Sequence, residues 1–196
     1  MGTPLTDEAL DTLFRTARTY NGYTADPVTK DDIRRIYDLV KWGPTSANQQ
    51  PGRFVWLLGQ EAKDRLAGFA SANNAGKIKA APAALIVAYD KEFHEHLPEF
   101  FPHVDARPWF AEPVGRERHA FLNTMLQAAY FIMAARSLGF DTGPMTGFDN
   151  AAVDAAFFAD QPNYKSVMLS TFGHGDPASI FDRLPRPAFD KFNTIV

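Results

Sequence analysis

The stretch Lys41 to Pro51, KWGPTSANQQP, follows an amphipathic helical pattern and precedes a hydrophobic strand, yet it holds almost nothing suited to a core. Gly43 and Pro44 stop the helix, because glycine tolerates positive φ and proline cannot extend the hydrogen-bond ladder. Thr45, Ser46, Asn48, Gln49 and Gln50 follow, all of them neutral groups that donate and accept hydrogen bonds. A loop of this kind suits a flat, polar, uncharged heterocycle. Read alone, it is more simply a plain polar connection between helix and strand, and the rest of the chain reverses that reading.

Outward from the loop, the N-terminal side carries a capping box, Thr29 to Asp32, then Ile33, Ile36, Tyr37 and Val40 at helical spacing. An earlier helix is expected from Thr6, with Leu10, Leu13 and Phe14 on one face and a turn at Asn21-Gly22. On the C-terminal side, strands are expected at Phe54–Leu58, Ala83–Tyr89 and Lys165–Phe172, and a short helix at about Glu61–Phe69. The run SANNAGKIK after that helix is rich in Asn, Gly and Lys, and residues 91–116, broken by prolines and crowded with aromatics, read as irregular. Ala120–Leu138 reads as a helix apolar on nearly every face, buried on all sides or against another subunit, with Gly139 ending it. Asn123, Gln127 and Arg136 interrupt its apolar run and argue against a membrane span. Asp149 caps a further helix, with Phe148 and Val153 placed as a hydrophobic staple.

With 196 residues, no repeat and no linker, one α+β domain over 1–196 is expected. A net charge of −3 gives no electrostatic reason to expect nucleic acid or an anionic membrane as partner. Zero cysteines exclude disulfides, thiolate metal sites and thiol nucleophiles. The N-terminus MGTPLTDEAL lacks the basic and apolar regions of a secretory signal, so a cytoplasmic protein is expected.

Several familiar chemistries are missing. No G-x-G-x-x-G follows a strand, and neither a Walker lysine nor a G-x-S-x-G elbow is present. His94-Glu95-His96 with His103 could be drawn as a metal cluster, but no second carboxylate–histidine pair completes a ligand set, and no metal is expected. What stands out is basic and polar groups at four separated places: Arg18 and Asn21, the Thr45–Gln50 loop, Asn74 and Lys77, and Arg183 and Arg186. Arginine and lysine suit phosphate, and neutral amides and hydroxyls suit a ring. The Gly143–Gly147 turn, GPMTG, would let backbone approach a ligand closely.

These residues give the chain its resemblance to the flavin-dependent nitroreductases. RTYNGY at Arg18–Tyr23, KWGPTSANQQP, LGFDTGPMTGFD and the ending GHGDP…RLPRP follow one another in that family's order, from about Leu10 onward. FPHVDARPWF at Phe101–Phe110 makes the chain similar to one subgroup, the malonic semialdehyde reductases of the Rut pathway of pyrimidine degradation. The resemblance implies an α+β fold with a central, mostly antiparallel sheet flanked by helices, and an intertwined homodimer with two FMN sites built from both subunits. It implies that Arg18, Thr19 and Asn21 lie by the phosphate and ring edge. Pro44, Thr45, Ser46 and Asn48 would come from the partner, and Lys77, with Asn74, would approach the N1–O2 side. The Thr146 and Gly147 backbone would face N5 and O4, with Pro144 and Met145 also cofactor-binding, and Arg183 and Arg186 would hold the phosphate. Asn21 stands where the family often has a cation.

The activity so implied is ping-pong hydride transfer from NADH or NADPH through FMN to a small semialdehyde acid. Arg107, with His103 as proton donor, is the candidate for the substrate's carboxylate, since both sit in the aromatic 91–116 segment. A broad nitro- or quinone-reductase, and a flavin-binding protein without turnover, are the rival expectations.

Overall fold

The computed structural model describes residues 2–196. Thr6 caps α1 (Asp7–Leu10), which runs into a π-helical turn at Asp11–Arg15. Then come α2 (Lys30–Val40), β1 (Gly52–Leu57), α3 (Gln60–Ala67), α4 (Ala72–Ala80) and β2 (Ala83–Asp90). The second half holds α5 (Leu97–Phe100), α6 (Pro113–Ser137), β3 (Asp141–Met145), α7 (Asn150–Phe157), β4 (Tyr164–Gly173) and α8 (Phe189–Phe192). The strands form one four-stranded antiparallel sheet in the order β1-β2-β4-β3.

Because side chains alternate along a strand, β2 supplies both cores. Ala83, Leu85 and Val87 face one side, where they meet Ile36 and Val40 of α2 and Phe131 and Ala135 of α6. Ala84, Ile86 and Ala88 face the other, against Leu66 of α3, Ile78 of α4 and Val153 of α7. The result is a three-layer sandwich with helices on both faces of the sheet.

Local signals set the helix ends. Thr29 and Asp32 close a reciprocal capping box on α2, and the Asp149 carboxylate accepts the Ala152 N–H at the start of α7. Gly139 follows α6 with φ of +81°, a conformation that costs a Cβ-bearing residue dearly.

The structure defines two segments further and changes two expectations, at residues 141–145 and 91–116. SANNAGKIK is helical, as α4: Lys63 donates to the Ala81 carbonyl and Gln60 to the Lys79 carbonyl, so α3 side chains satisfy the end of a segment with poor helix propensity. Residues 141–145 are a strand rather than a turn, and Pro144 is accommodated because β3 is an edge strand. Residues 91–116 hold short helical turns and the start of α6, packed on a cluster of their own around Phe93, Leu97, Ala106 and Phe110. Finally, α6 leaves part of its apolar surface uncovered within one chain. Asn123 and Gln127 are buried, while Leu122 and Leu126 are about half exposed.

Candidate functional site

The neutral loop 44–50 is held in an unusual shape. Ala47, Asn48 and Gln50 all have positive φ (49°, 47° and 42°), a region that side-chain-bearing residues seldom occupy. Buried polar groups of α6 hold it there. Asn123 Oδ1 accepts the Ser46 N–H at 2.8 Å, and Gln127 Oε1 accepts the Gly52 N–H at 2.8 Å. Gln127 Nε2 also donates to Gln50 Oε1 at 2.7 Å. The Gly43 backbone lies so close to the Tyr130 ring that a Cβ there would sit 2.8 Å from it. Beside the loop opens a cleft of about 800 Å³, lined by Trp42, Pro44, Thr45, Asn48, Arg53 and Phe100 among others.

A second group of predicted residues gathers along β3. Thr19 bridges to Thr142, and the Tyr20 N–H donates to the Thr142 carbonyl. Asn21 Nδ2 donates to the Ser179 carbonyl, which ties this segment to the C-terminal tail. Arg183 donates to the Ala17 carbonyl at 3.0 Å, and Arg18 to the Phe181 carbonyl. Arg186 is exposed and bonds only the neighbouring Leu184 and Pro185 carbonyls, so of the two tail arginines it is Arg183 that joins Arg18. At the far end of β3, Asn74 donates to the Gly147 carbonyl at 3.1 Å and Ser71 N–H to the same oxygen at 2.9 Å. A Cβ on Gly147 would stand 2.9 Å from Asn74 Nδ2. Lys77 is half-buried in the last turn of the same helix, α4.

Thr142 and Gly147 are five residues apart, which at strand rise is about 17 Å. The β3 edge therefore offers cations at one end and a glycine-lined, amide-bearing shelf at the other.

The two groups do not meet within one chain. Loop 44–50 leads into β1 and is held by α6; Gly147 and Asn74 lie off β3 and α4. These are opposite edges of the sheet, three strand spacings or about 14 Å apart. Helices α6 and α4 also cover opposite faces.

Arg107 and His103 lie outside both groups. The Arg107 guanidinium is exposed and gripped at both ends of its fork by Asp105, at 2.9 Å each. That pairing pulls the Asp105 carboxyl down to about 2 and raises Arg107. His103 packs edge-on against Phe101. Among the described residues, Glu92, His94 and Glu95 bring three possible metal donors together. Arg116 already occupies that cluster, donating to Glu92 at 3.0 Å with its Nη1 3.4 Å from His94 Nε2, and a cation there would compete with it. His96 and His103 are not members of it.

A profile described as the nitroreductase family matches residues 14–174. The chain belongs to the nitroreductase family. A relative from Xanthomonas oryzae pv. oryzae, described as a "Putative NADH dehydrogenase/NAD(P)H nitroreductase", is 53% identical over 192 residues, covering 97% of each chain. Among solved structures, a "putative nitroreductase in complex with FMN" from Exiguobacterium sibiricum superposes with a TM-score of 0.84 at 20% identity, over 100% of both chains. The NADPH:FMN oxidoreductase of Vibrio harveyi, complexed with NAD+, gives 0.71 at 22% identity, over 91% of this chain and 74% of that one. At these identities the structural matches establish the nitroreductase fold. No helix among the described residues is long and apolar enough to cross a membrane.

Sequence reasoning missed three residues that frame these two groups. Asn123 and Gln127 were legible only as interruptions of an apolar helix, although two amides on one face four residues apart signal a hydrogen-bonding role. Arg136, read in the same way, proves half-buried beside the 13–18 segment and donates to the Leu13 carbonyl at 3.0 Å.

Proposed function

We propose that the protein is an FMN-dependent NAD(P)H oxidoreductase acting in the cytoplasm, with each FMN held between two copies of the chain. The observation that carries this is the pair of half-sites at opposite edges of the sheet, each fitted to one part of the same ligand. Along β3, Arg18 and Arg183 have only carbonyl partners among the described residues and stay free to take a phosphate. The shelf at Thr146, Gly147, Asn74 and Lys77 fits the ring's polar edge. Loop 44–50, with Pro44, Thr45, Ser46 and Asn48 offering neutral polar groups, would close over the ring from the partner copy. The exposed Leu122 and Leu126 on α6, about half accessible in one chain, supply an apolar face for that partner.

When bound, FMN would supply the hydride-transfer chemistry that links NADH or NADPH to an oxidised acceptor in a ping-pong reaction. The chain's part is to anchor, orient and polarise. Lys77, half-buried near the shelf, would set a positive charge toward the ring's polar edge and so favour negative charge there. No side chain need act as nucleophile.

The acceptor we propose is a small semialdehyde acid, malonic semialdehyde, reduced to 3-hydroxypropionate. The likeness of Phe101–Phe110 to that subgroup supports it. Arg107 is the residue assigned to the acceptor's carboxylate, with His103 as proton donor. Asp105 already sits in the Arg107 fork in the geometry an acceptor carboxylate would take. The second reading is a broad nitro- or quinone-reductase, favoured by the aromatic, open cleft with Trp42 at 77% exposure.

The test is an absorbance spectrum followed by anaerobic addition of NADH and then malonic semialdehyde. Flavin bands that bleach and return support the full reading. Bands that bleach and return only with a nitroaromatic favour the second. Absence of flavin binding, even with FMN added, overturns both.

A further inference from the structure

Six of the twelve arginines of this chain are neutralised by carboxylates. Arg15, Arg34, Arg35, Arg53, Arg107 and Arg116 each make an ion pair. Of the six without an ion pair among the described residues, the three at the β3 edge are held by carbonyls more than 120 positions away in the sequence. Arg18, Arg183 and Arg136 donate to the carbonyls of Phe181, Ala17 and Leu13, and among the described residues none of them pairs with a carboxylate.

Arg136 is the innermost of the three. It leaves the last turn of α6 and crosses to the π-helical turn that precedes Arg18. Its Nε is fully shielded from solvent and has no hydrogen-bond partner. A buried guanidinium N–H without a partner is costly, and such a cost is tolerated where a ligand supplies the missing acceptor. Burial and the nearby Arg183 both disfavour its charge, while Asp141 favours it. Asp141 is itself half-buried, and burial raises its carboxyl against the pull of Arg136 and of the Gly175 N–H it accepts. Arg136 thus stands between one carboxylate, Asp141, and a second guanidinium, Arg183, with Arg18 and Arg183 held in place by backbone carbonyls.

We propose that Arg136 is a third, buried cation of the phosphate end of the FMN site, acting on the ligand's phosphate with Arg18 and Arg183 and positioning the Leu13–Arg18 turn. This rests on the function proposed above and assigns a residue that it does not use. A phosphate monoester is the chemistry that fits, because a dianion supplies both the charge and the acceptors that the cluster lacks.

The experiment compares FMN with riboflavin, which differ only in the phosphate. Dissociation constants are measured by fluorescence quenching on the apoprotein for the wild type, Arg136→Met and Arg136→Lys. The proposal expects Arg136→Met to weaken FMN by about tenfold, leave riboflavin unchanged, and flatten the salt dependence of FMN binding. Arg136→Lys recovers part of the preference. Equal weakening of both ligands means a merely structural role and overturns the proposal, as does an unchanged FMN-to-riboflavin ratio. If the wild type binds neither flavin, the proposed function itself fails; if it binds FMN in preference and only the variant result is negative, that function stands and Arg136 alone drops out.

Discussion

Replacing Gln127 by Leu is the sharpest test of how loop 44–50 is held. The side chain is 3% exposed and makes two hydrogen bonds, accepting from the Gly52 N–H and donating to Gln50 Oε1. Leucine fills similar space and removes both. The Gly52 N–H loses its acceptor, at a cost of about 1–3 kcal/mol, and a neutral hydrogen bond worth about 0.5–1.5 kcal/mol goes with it. Leucine's better burial offsets about 1 kcal/mol. The net loss is about 2 kcal/mol, which for a domain of this size lowers Tm by roughly 4–8 °C. Thermal unfolding followed by circular dichroism at fixed protein concentration measures it. The loop should loosen as well, so flavin affinity should fall by more than the stability loss alone explains. A variant that melts within about 1 °C of the wild type would refute the claim that this amide fastens the loop.

Other substitutions probe the remaining parts. Gly143→Ala puts a methyl group 2.5 Å from Thr171 Oγ1, 2.8 Å from the Tyr20 carbonyl and 3.0 Å from Tyr23 Oη, so β3 must shift; a loss of about 1–3 kcal/mol in denaturant unfolding is expected. Arg107→Ala should raise KM for the aldehyde acid about tenfold with kcat unchanged, and Asp105→Asn, which frees the fork, should lower it. Since Arg107 depresses the Asp105 carboxyl to about 2, the pair's contribution is intact above the ordinary carboxylate value and is lost as pH falls through about 2. Carbon NMR titration should show Asp105 returning to near the ordinary value of 3.8 in Arg107→Ala. Leu126→Arg places a charge on the exposed apolar face of α6 and should yield a monomer by sedimentation that no longer retains FMN.

Elements governed by local chemistry were legible in the residues alone. The capping box at Thr29, the cap at Asp149 and Gly139 after α6 work through neighbours a few positions away, so the sequence displays them directly. β2 was legible because an unbroken apolar run of strand length has one use in a protein of this kind. Where tertiary partners decide, the pattern is silent or misleads. The Asn- and Gly-rich segment 71–79 becomes α4 only because Lys63 and Gln60 of α3 reach its last carbonyls. GPMTG forms part of an edge strand because β4 offers a ladder that its glycine and proline would not seek alone. The site residues separate in the same way: Arg18 and Arg183 sit 165 positions apart and are joined through the Ala17 and Phe181 carbonyls, contacts that spacing cannot reveal.

The placement of the half-sites at opposite edges of the sheet has a genetic consequence. In the proposed dimer, each site takes its β3 residues from one copy and its loop from the other. Damaging alleles then fall into two groups, those at Arg18, Lys77 or Arg183 and those at Thr45 or Asn48. Two alleles of one group leave every site broken. One of each, expressed together, rebuild one sound site in each mixed dimer, so about a quarter of all sites recover. Neither mutant protein alone carries activity, yet a cell holding both would.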